Sequence, residues 1–84
     1  MSKVLLVVGA GPGLGASIGR RFSEEGFKVA LASRSLEKVS AVCENVPGAK
    51  GFACDATNED DVNRLFSEVT QSFGTPTTVV FNAS

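Results

Sequence analysis

Four short apolar runs alternate along this chain with three segments in which apolar residues recur at helical spacing. The runs cover residues 4–8, 28–32, 51–54 and 78–81, and their length and composition predict strands. Between them, the spacing predicts a helix over about 13–25, a second that stops before Pro47 and a third that stops at Gly74. Regular alternation of strand and helix is typical of parallel strands joined by right-handed crossovers, with helices on both faces of the sheet.

The ends of the predicted helices carry local signals of their own. Gly26 is placed to end the first helix as its C′ residue. Thr57, with Asp60 three residues later, predicts a capping box at the start of the third helix. Ser35 predicts the N-cap of the second helix, whose buried side is expected to carry Leu36, Val39, Val42 and Cys43.

Together these elements predict a Rossmann-like α/β fold of three layers, αβα, with a parallel four-stranded sheet of order 3-2-1-4. The sequence ends directly after the fourth strand, so we expect an incomplete doubly wound fold. The apolar edge at residues 79–81 would then be open to self-association or to a partner chain. A chain of 84 residues with such an edge is expected to lie near the threshold of folding stability.

Composition narrows the classes of function. The formal net charge is −1 and the Lys and Arg residues are scattered, so we expect no nucleic-acid partner. No apolar run is long enough for a signal peptide or a membrane span, which predicts a cytoplasmic protein without a membrane partner. The chain has no histidine, and Cys43 and Cys54 lack the spacing of metal ligands. We therefore expect two reduced, packed thiols and no metal site.

The turn between the first strand and the first helix, residues 9–15, reads Gly-Ala-Gly-Pro-Gly-Leu-Gly. Glycines let the backbone turn sharply and let a bulky anion approach the main chain. The helix that follows directs its unpaired N–H groups and the positive end of its dipole at the same point. This combination predicts a binding site for a nucleotide phosphate.

The spacing of these glycines indicates which of the known nucleotide-binding motifs fits this turn. A P-loop is excluded because no lysine follows, and the GxGxxG motif, which a flavoprotein start also needs, fails at Leu14. A methyltransferase-type GxGxG fits Gly9, Gly11 and Gly13, but the acids that usually accompany it at the ends of strands 1 and 2 are missing. A GxxxGxG motif fits Gly9, Gly13 and Gly15 without conflict.

Three segments, each at the end of a predicted strand, make the whole chain resemble the short-chain dehydrogenase/reductase family. The GxxxGxG turn matches the family's nucleotide turn, although Val8 stands where the family usually has Thr. Asp55-Ala56-Thr57 resembles the family's Asp-x-Thr/Ser, whose acid holds the adenine. After strand 4, Asn82 and Ala83 match the family's Asn-Asn-Ala-Gly stretch, and the residues on either side depart from it.

The end of the second strand predicts which nicotinamide cofactor binds. NAD-binding folds carry an acid there for the ribose 2′-OH, whereas an Arg nearby accommodates the 2′-phosphate of NADP. Ser33 occupies the place of the acid and Arg34 follows, so we predict NADP(H). The residues predicted to bind this small-molecule dinucleotide are Gly9, Gly11, Gly13, Leu14, Gly15, Ser33, Arg34, Asp55, Ala56, Asn82 and Ala83.

The resemblance implies an oxidoreductase that transfers hydride between NADPH and a carbonyl or alcohol. It also implies a Tyr-xxx-Lys pair and a Ser beyond strand 4, and this chain contains no tyrosine. We therefore expect residues 1–84 to be the N-terminal part of an NAD(P)-binding Rossmann domain, without catalytic residues of its own. The alternatives are a standalone NADP(H)-binding or regulatory module and a fragment of an S-adenosylmethionine-dependent methyltransferase.

Overall fold

Seven elements alternate along the chain in the computed structural model, which describes residues 3–9 and 13–82, with only the backbone of Leu14. The order of the elements is β1 (Val4–Val8), α1 (Leu14–Glu24), β2 (Lys28–Ser33), α2 (Leu36–Cys43), β3 (Ala49–Ala53), α3 (Glu59–Phe73) and β4 (Thr78–Phe81). All the predicted strands and helices are therefore present. The differences are small: β2 runs one residue further than predicted, to Ser33, and β3 lies earlier, beginning at Ala49.

The four strands form one parallel sheet of order β3-β2-β1-β4, which confirms the predicted Rossmann-like topology. In the register, Val8 is paired with Ala32 of β2 and with Phe81 of β4, and Ser33 is paired with Ala53 of β3. The four strands thus end at nearly the same level. Their carboxyl ends define one side of the sheet, called here the carboxyl end of the sheet.

Helices cover both faces of this sheet. On one face, alternate strand residues such as Leu6 and Ala30 pack against Leu65 and Val69 of α3. On the other face, Leu5, Leu31 and their neighbours pack against α1 and α2. Because both faces are covered, every residue of β1 is buried. This burial explains why the strand reads as an unbroken apolar run instead of an alternating one.

The caps predicted for the first two helices are present, whereas the burial predicted for one residue of α2 is wrong. Gly26 has a φ of +92°, the left-handed conformation expected of a C′ glycine. The Ser35 hydroxyl accepts a hydrogen bond from the Lys38 N–H at 3.2 Å, which confirms the predicted N-cap. The prediction that Leu36 is buried is wrong, because its side chain is 52% exposed. Leu36 lies beside β3, which is an edge strand, so no further strand covers it.

The predicted start of the third helix is also wrong. Asn58, not Thr57, is the N-cap of α3, and its side-chain oxygen accepts a hydrogen bond from the Asp61 N–H at 3.0 Å. The Thr57 hydroxyl donates instead to the Asp55 carboxylate at 2.7 Å. This bond directs the Thr57 hydroxyl toward Asp55, and the helix is capped by the next residue.

The Asn58→Ala variant is expected to lower the free energy of unfolding by about 1 kcal/mol, because it leaves the Asp61 N–H without its cap. Asn63→Ala is the matched control. Asn63 is an exposed residue within α3, so its replacement is expected to change stability by less than about 0.5 kcal/mol. Chemical denaturation of both variants measures the difference, and equal stabilities for the two would contradict the assignment of the cap.

Candidate functional site

The residues that follow the strands leave the sheet together at its carboxyl end. The Gly9 N–H donates to the Ala32 carbonyl at 2.8 Å, which fixes the exit of β1 beside the end of β2. The Asn82 N–H donates to the Val8 carbonyl at 2.9 Å, which fixes the exit of β4 beside β1. In open α/β sheets, ligands bind in the crevice outside the carboxyl ends of the strands, where the strand order reverses. Here the order reverses at β1, between β2 and β4.

Gly9 occupies a position that only glycine tolerates. Its φ is +89°, in the left-handed region, and a Cβ built on it would clash with the backbone carbonyl of Asn82. The side-chain amide of Asn82 donates to the Gly9 carbonyl at 3.4 Å. The end of β4 therefore closes tightly on the turn that leaves β1. A side chain at position 9 would separate the two strands or distort the turn.

The first turn of α1 carries no acidic residue that would balance the positive end of the helix dipole. The N-cap of α1, Gly13, supplies no side-chain hydrogen bond. The positive end of the helix dipole therefore favours an anion at this position. A Cβ at Gly13 would meet nothing within 4 Å, and Gly15 is buried in the first turn of the helix. Gly11, Ala83 and the side chain of Leu14, also predicted to bind the cofactor, lie outside what the structure describes.

The end of β2 presents a hydroxyl and a cation. The Ser33 hydroxyl accepts a hydrogen bond from the Ser35 N–H at 3.4 Å, and the Ser33 carbonyl accepts one from the Cys54 N–H at 2.8 Å. Arg34 is exposed, and within residues 3–9 and 13–82 it forms no ion pair. Its guanidinium is thus available for an anionic ligand. Arg34 nevertheless lies close enough to Asp55 to influence that carboxylate electrostatically.

Asp55 is held in a tight turn after β3. One carboxylate oxygen, Oδ1, accepts hydrogen bonds from the Thr57 hydroxyl at 2.7 Å and from the Thr57 N–H at 2.9 Å. These two bonds, with a smaller contribution from the positive charge of Arg34, hold the pKa of Asp55 below its usual range. The side chain is thus a fixed anion at neutral pH. Ala56, also predicted to bind the cofactor, is an exposed residue of the same turn.

Sequence reasoning missed one residue of this region, Asp61. Its Oδ2 accepts a hydrogen bond from the Asp55 N–H at 2.9 Å, and its Oδ1 pairs with the Arg64 guanidinium at 2.9 Å. The bond from the Asp55 N–H and the bond from Arg64 both lower the pKa of Asp61. The only signal in the sequence was a third acid in the first turn of α3, and such acids are common there because they interact well with the helix dipole.

The two cysteines contribute to the core, not to this site. Cys43 packs with α1, α2 and one face of the sheet, whereas Cys54 belongs to the cluster on the opposite face. The sheet between them prevents a disulfide between these two thiols, and burial raises the pKa of both.

No three His, Cys, Asp or Glu side chains in residues 3–9 and 13–82 are grouped so that they could share a metal ion. Over the same residues, no helix combines the length and the apolar character that crossing a bilayer requires.

Comparison with known proteins assigns this arrangement to a family. The family model described as short chain dehydrogenase matches residues 3–84. The chain belongs to the short-chain dehydrogenase family. Among curated relatives of this short-chain dehydrogenase, L-fucose dehydrogenase of Bos taurus is 40% identical over 81 residues, which cover 96% of this chain and 30% of that protein.

Solved structures agree with this assignment. A metagenomic short-chain oxidoreductase in complex with NADP superposes with a TM-score of 0.88 at 31% identity, and the match covers 100% of this chain and 40% of that one. The 3-ketoacyl-(acyl-carrier-protein) reductase from Brucella melitensis, complexed with NADH, gives a TM-score of 0.83 at 31% identity and covers 92% of this chain and 32% of that one. This short-chain dehydrogenase sequence therefore spans less than half the length of each relative named here. The predicted family and fold are both confirmed.

Proposed function

We propose that NADP(H) binds across the carboxyl end of the sheet. The pyrophosphate would lie against the turn from Gly9 to Gly13 and the N-terminus of α1. The 2′-phosphate would pair with Arg34 and accept a hydrogen bond from Ser33, and the adenine would lie beside Asp55 and Ala56. The remaining residues predicted to contact the dinucleotide are Gly11, Leu14, Gly15, Asn82 and Ala83.

The observation that carries this proposal is the distribution of charge around the end of β1. The N-terminus of α1 has no acidic residue in its first turn, and Arg34 is exposed at the end of the neighbouring strand. A dinucleotide with an additional phosphate fits two separated positive sites of this kind, because each phosphate meets a cation or a helix N-terminus. Ser33 strengthens the preference, since an acid at that position would repel the extra phosphate.

The solved relatives support a nicotinamide cofactor in general. One is described in complex with NADP and the other with NADH. The choice between the two cofactors therefore rests on this chain's own residues at the end of β2. Residues 1–84 would form the N-terminal part of the dinucleotide-binding domain, as predicted from the sequence.

The chemistry that we propose for the whole protein is oxidoreduction. When bound, NADPH supplies a hydride to a carbonyl carbon, or NADP⁺ accepts one from an alcohol. The family resemblance implies a proton-transferring tyrosine and its lysine beyond strand 4, and these 84 residues contain no tyrosine. We therefore assign to this chain the binding of the nucleotide and none of the catalytic groups. The match to the family favours this interpretation over the methyltransferase alternative.

We also propose a cytoplasmic location. Cys43 and Cys54 belong to clusters on opposite faces of the sheet and cannot pair with each other, as is common in a reducing compartment.

Titration of isotopically labelled protein with NADP⁺, followed by the chemical shifts of backbone amides, tests the binding site. We expect the largest shifts at Gly9, in residues 13–16, at Ser33 and Arg34, and at Asp55. Residues 66–73, in the second half of α3, are expected to remain unchanged and serve as an internal control. Shifts confined to residues away from the carboxyl end of the sheet, or displacement of NADP⁺ by S-adenosylmethionine, would contradict the proposal.

A further inference from the structure

We propose that Asp61 is a positioning residue for the adenine end of the dinucleotide, and that it acts by fixing the backbone and the carboxylate of Asp55. This inference rests on the proposed function, because it concerns the same binding site. It assigns a role in ligand recognition to a residue of α3 that is not itself expected to touch the ligand.

The first support is that Asp61 is bound on both of its oxygens. Its Oδ2 accepts from the Asp55 N–H at 2.9 Å, so the first turn of α3 is joined directly to the residue that follows β3 and Cys54. Its Oδ1 accepts from the Arg64 guanidinium at 2.9 Å. Arg64 also donates to the Ala53 carbonyl at 3.5 Å, at the end of β3. The Asp61 side chain is therefore held in one orientation against the loop.

The second support comes from the backbone on either side of Asp61. Its own N–H donates to the Asn58 side chain at 3.0 Å, which anchors the residue in the capped first turn of α3. The Cys54 N–H donates to the Ser33 carbonyl at 2.8 Å, and that bond is the last between β3 and β2. Beyond it, the bond from the Asp55 N–H to Asp61 sets the direction in which the chain leaves the sheet.

The third support is the state of the Asp55 carboxylate itself. Both hydrogen bonds that it accepts within the described residues, from the Thr57 hydroxyl and N–H, go to Oδ1. Oδ2 is left to accept a hydrogen bond from a ligand, and the adenine amino group is a suitable donor. The position of Oδ2 depends on the backbone of Asp55, and Asp61 holds that backbone. Loss of Asp61 would allow Oδ2 to move away from the amino group without removing any atom of Asp55.

The test compares NADP⁺ with its purine analogue, in which the amino group of adenine is replaced by hydrogen. Because the analogue lacks one hydrogen bond to a charged acceptor, we expect the unmodified protein to bind NADP⁺ about 10-fold more tightly than the analogue. Asp55→Ala is expected to reduce this ratio to about 1. Asp61→Ala is expected to reduce it to a similar value, although Asp55 is still present. A merely structural role for Asp61 would weaken the binding of both ligands equally and would leave the ratio unchanged.

Asp60→Ala is the matched control, because it removes the same negative charge one residue away. Within residues 3–9 and 13–82, the carboxylate of Asp60 accepts no hydrogen bond. This variant is expected to keep the full ratio. Arg64→Ala provides a second test at an exposed position, where a failure to fold is not expected. Arg64→Ala releases one oxygen of Asp61, so the ratio of the two affinities is expected to fall several-fold. Glu68→Ala removes only the second carboxylate that pairs with Arg64, and it is expected to preserve the ratio.

The outcomes separate this inference from the proposal on which it rests. A ratio that is lost in Asp55→Ala but kept in Asp61→Ala and Arg64→Ala would overturn the positioning role and would leave the proposed function intact. If Asp61→Ala does not fold, Arg64→Ala decides alone: an unchanged ratio of the two affinities in that variant overturns the positioning role of Asp61. If the unmodified protein binds both ligands equally tightly, the adenine contact of Asp55 is wrong and the positioning role of Asp61 is overturned with it. If it binds neither ligand, the proposed function itself is overturned.

Discussion

The Arg34→Ala variant is expected to bind NADPH about 10- to 100-fold more weakly than the unmodified protein, because hydrogen bonds to charged groups contribute roughly 1.5–3 kcal/mol each. Arg34 is exposed at the end of β2, and no acid within the described part of the chain pairs with it. The guanidinium can therefore pair directly with the 2′-phosphate. Calorimetric titration of the two proteins with NADPH measures the change.

Two controls make this result specific to the extra phosphate. The affinity for NADH, which lacks the 2′-phosphate, is expected to be nearly the same in Arg34→Ala as in the unmodified protein. Arg21→Ala removes an equal charge from the last turn of α1, at the opposite end of that helix from Gly13, and is expected to leave the affinity for NADPH unchanged. Equal losses for NADPH and NADH in Arg34→Ala would show that Arg34 does not recognise the 2′-phosphate.

The Gly9→Ala variant is expected to lose roughly 2–5 kcal/mol of stability, the sum of the strain of a left-handed backbone and of a steric overlap. The φ of Gly9 is +89°, and the new Cβ would clash with the Asn82 carbonyl, a backbone atom that cannot rotate away. For a domain of this size, such a loss corresponds to a decrease in melting temperature of more than about 10 °C. Thermal unfolding followed by circular dichroism measures it.

Gly26→Ala separates the two causes of this loss. Gly26 has nearly the same φ, +92°, but a Cβ there would meet nothing within 4 Å. Its replacement is therefore expected to cost only the conformational strain, about 1–2 kcal/mol. If Gly9→Ala and Gly26→Ala lose the same stability, the close approach of β4 to the turn after β1 is not significant. The difference between the stability losses of the two variants gives the energetic cost of the steric overlap at position 9.

The topology of this fold could be predicted from the sequence because its two central strands, β1 and β2, are buried on both faces. A run such as Val4–Val8, in which every residue is buried, is rarely compatible with anything but the interior strand of a covered sheet. The three helices are amphipathic, so their spacing showed which side faces the sheet. Leu36 was the exception, because the helical pattern gives the direction of a side chain but not the extent of the sheet beneath it.

The candidate site was predicted less completely, and the reason is the local competition for hydrogen bonds. Both Thr57 and Asn58 are suitable N-caps by residue type. The choice between them depends on Asp55, which takes the Thr57 hydroxyl for its own turn. The role of Asp61 depends in turn on its distance from the Asp55 N–H, which no pattern of residue types specifies. Contacts of this kind follow from the folded geometry of the loop after β3.

Calorimetric titration of the unmodified protein with NADPH and, separately, with NADH tests the proposed binding site without any substitution. The proposed site combines an exposed guanidinium at the end of β2 with the N-terminus of α1, which has no acid in its first turn, to recognise a dinucleotide with an additional phosphate. This arrangement predicts tighter binding of NADPH, by about 10-fold or more. Equal affinities, or tighter binding of NADH, would contradict it.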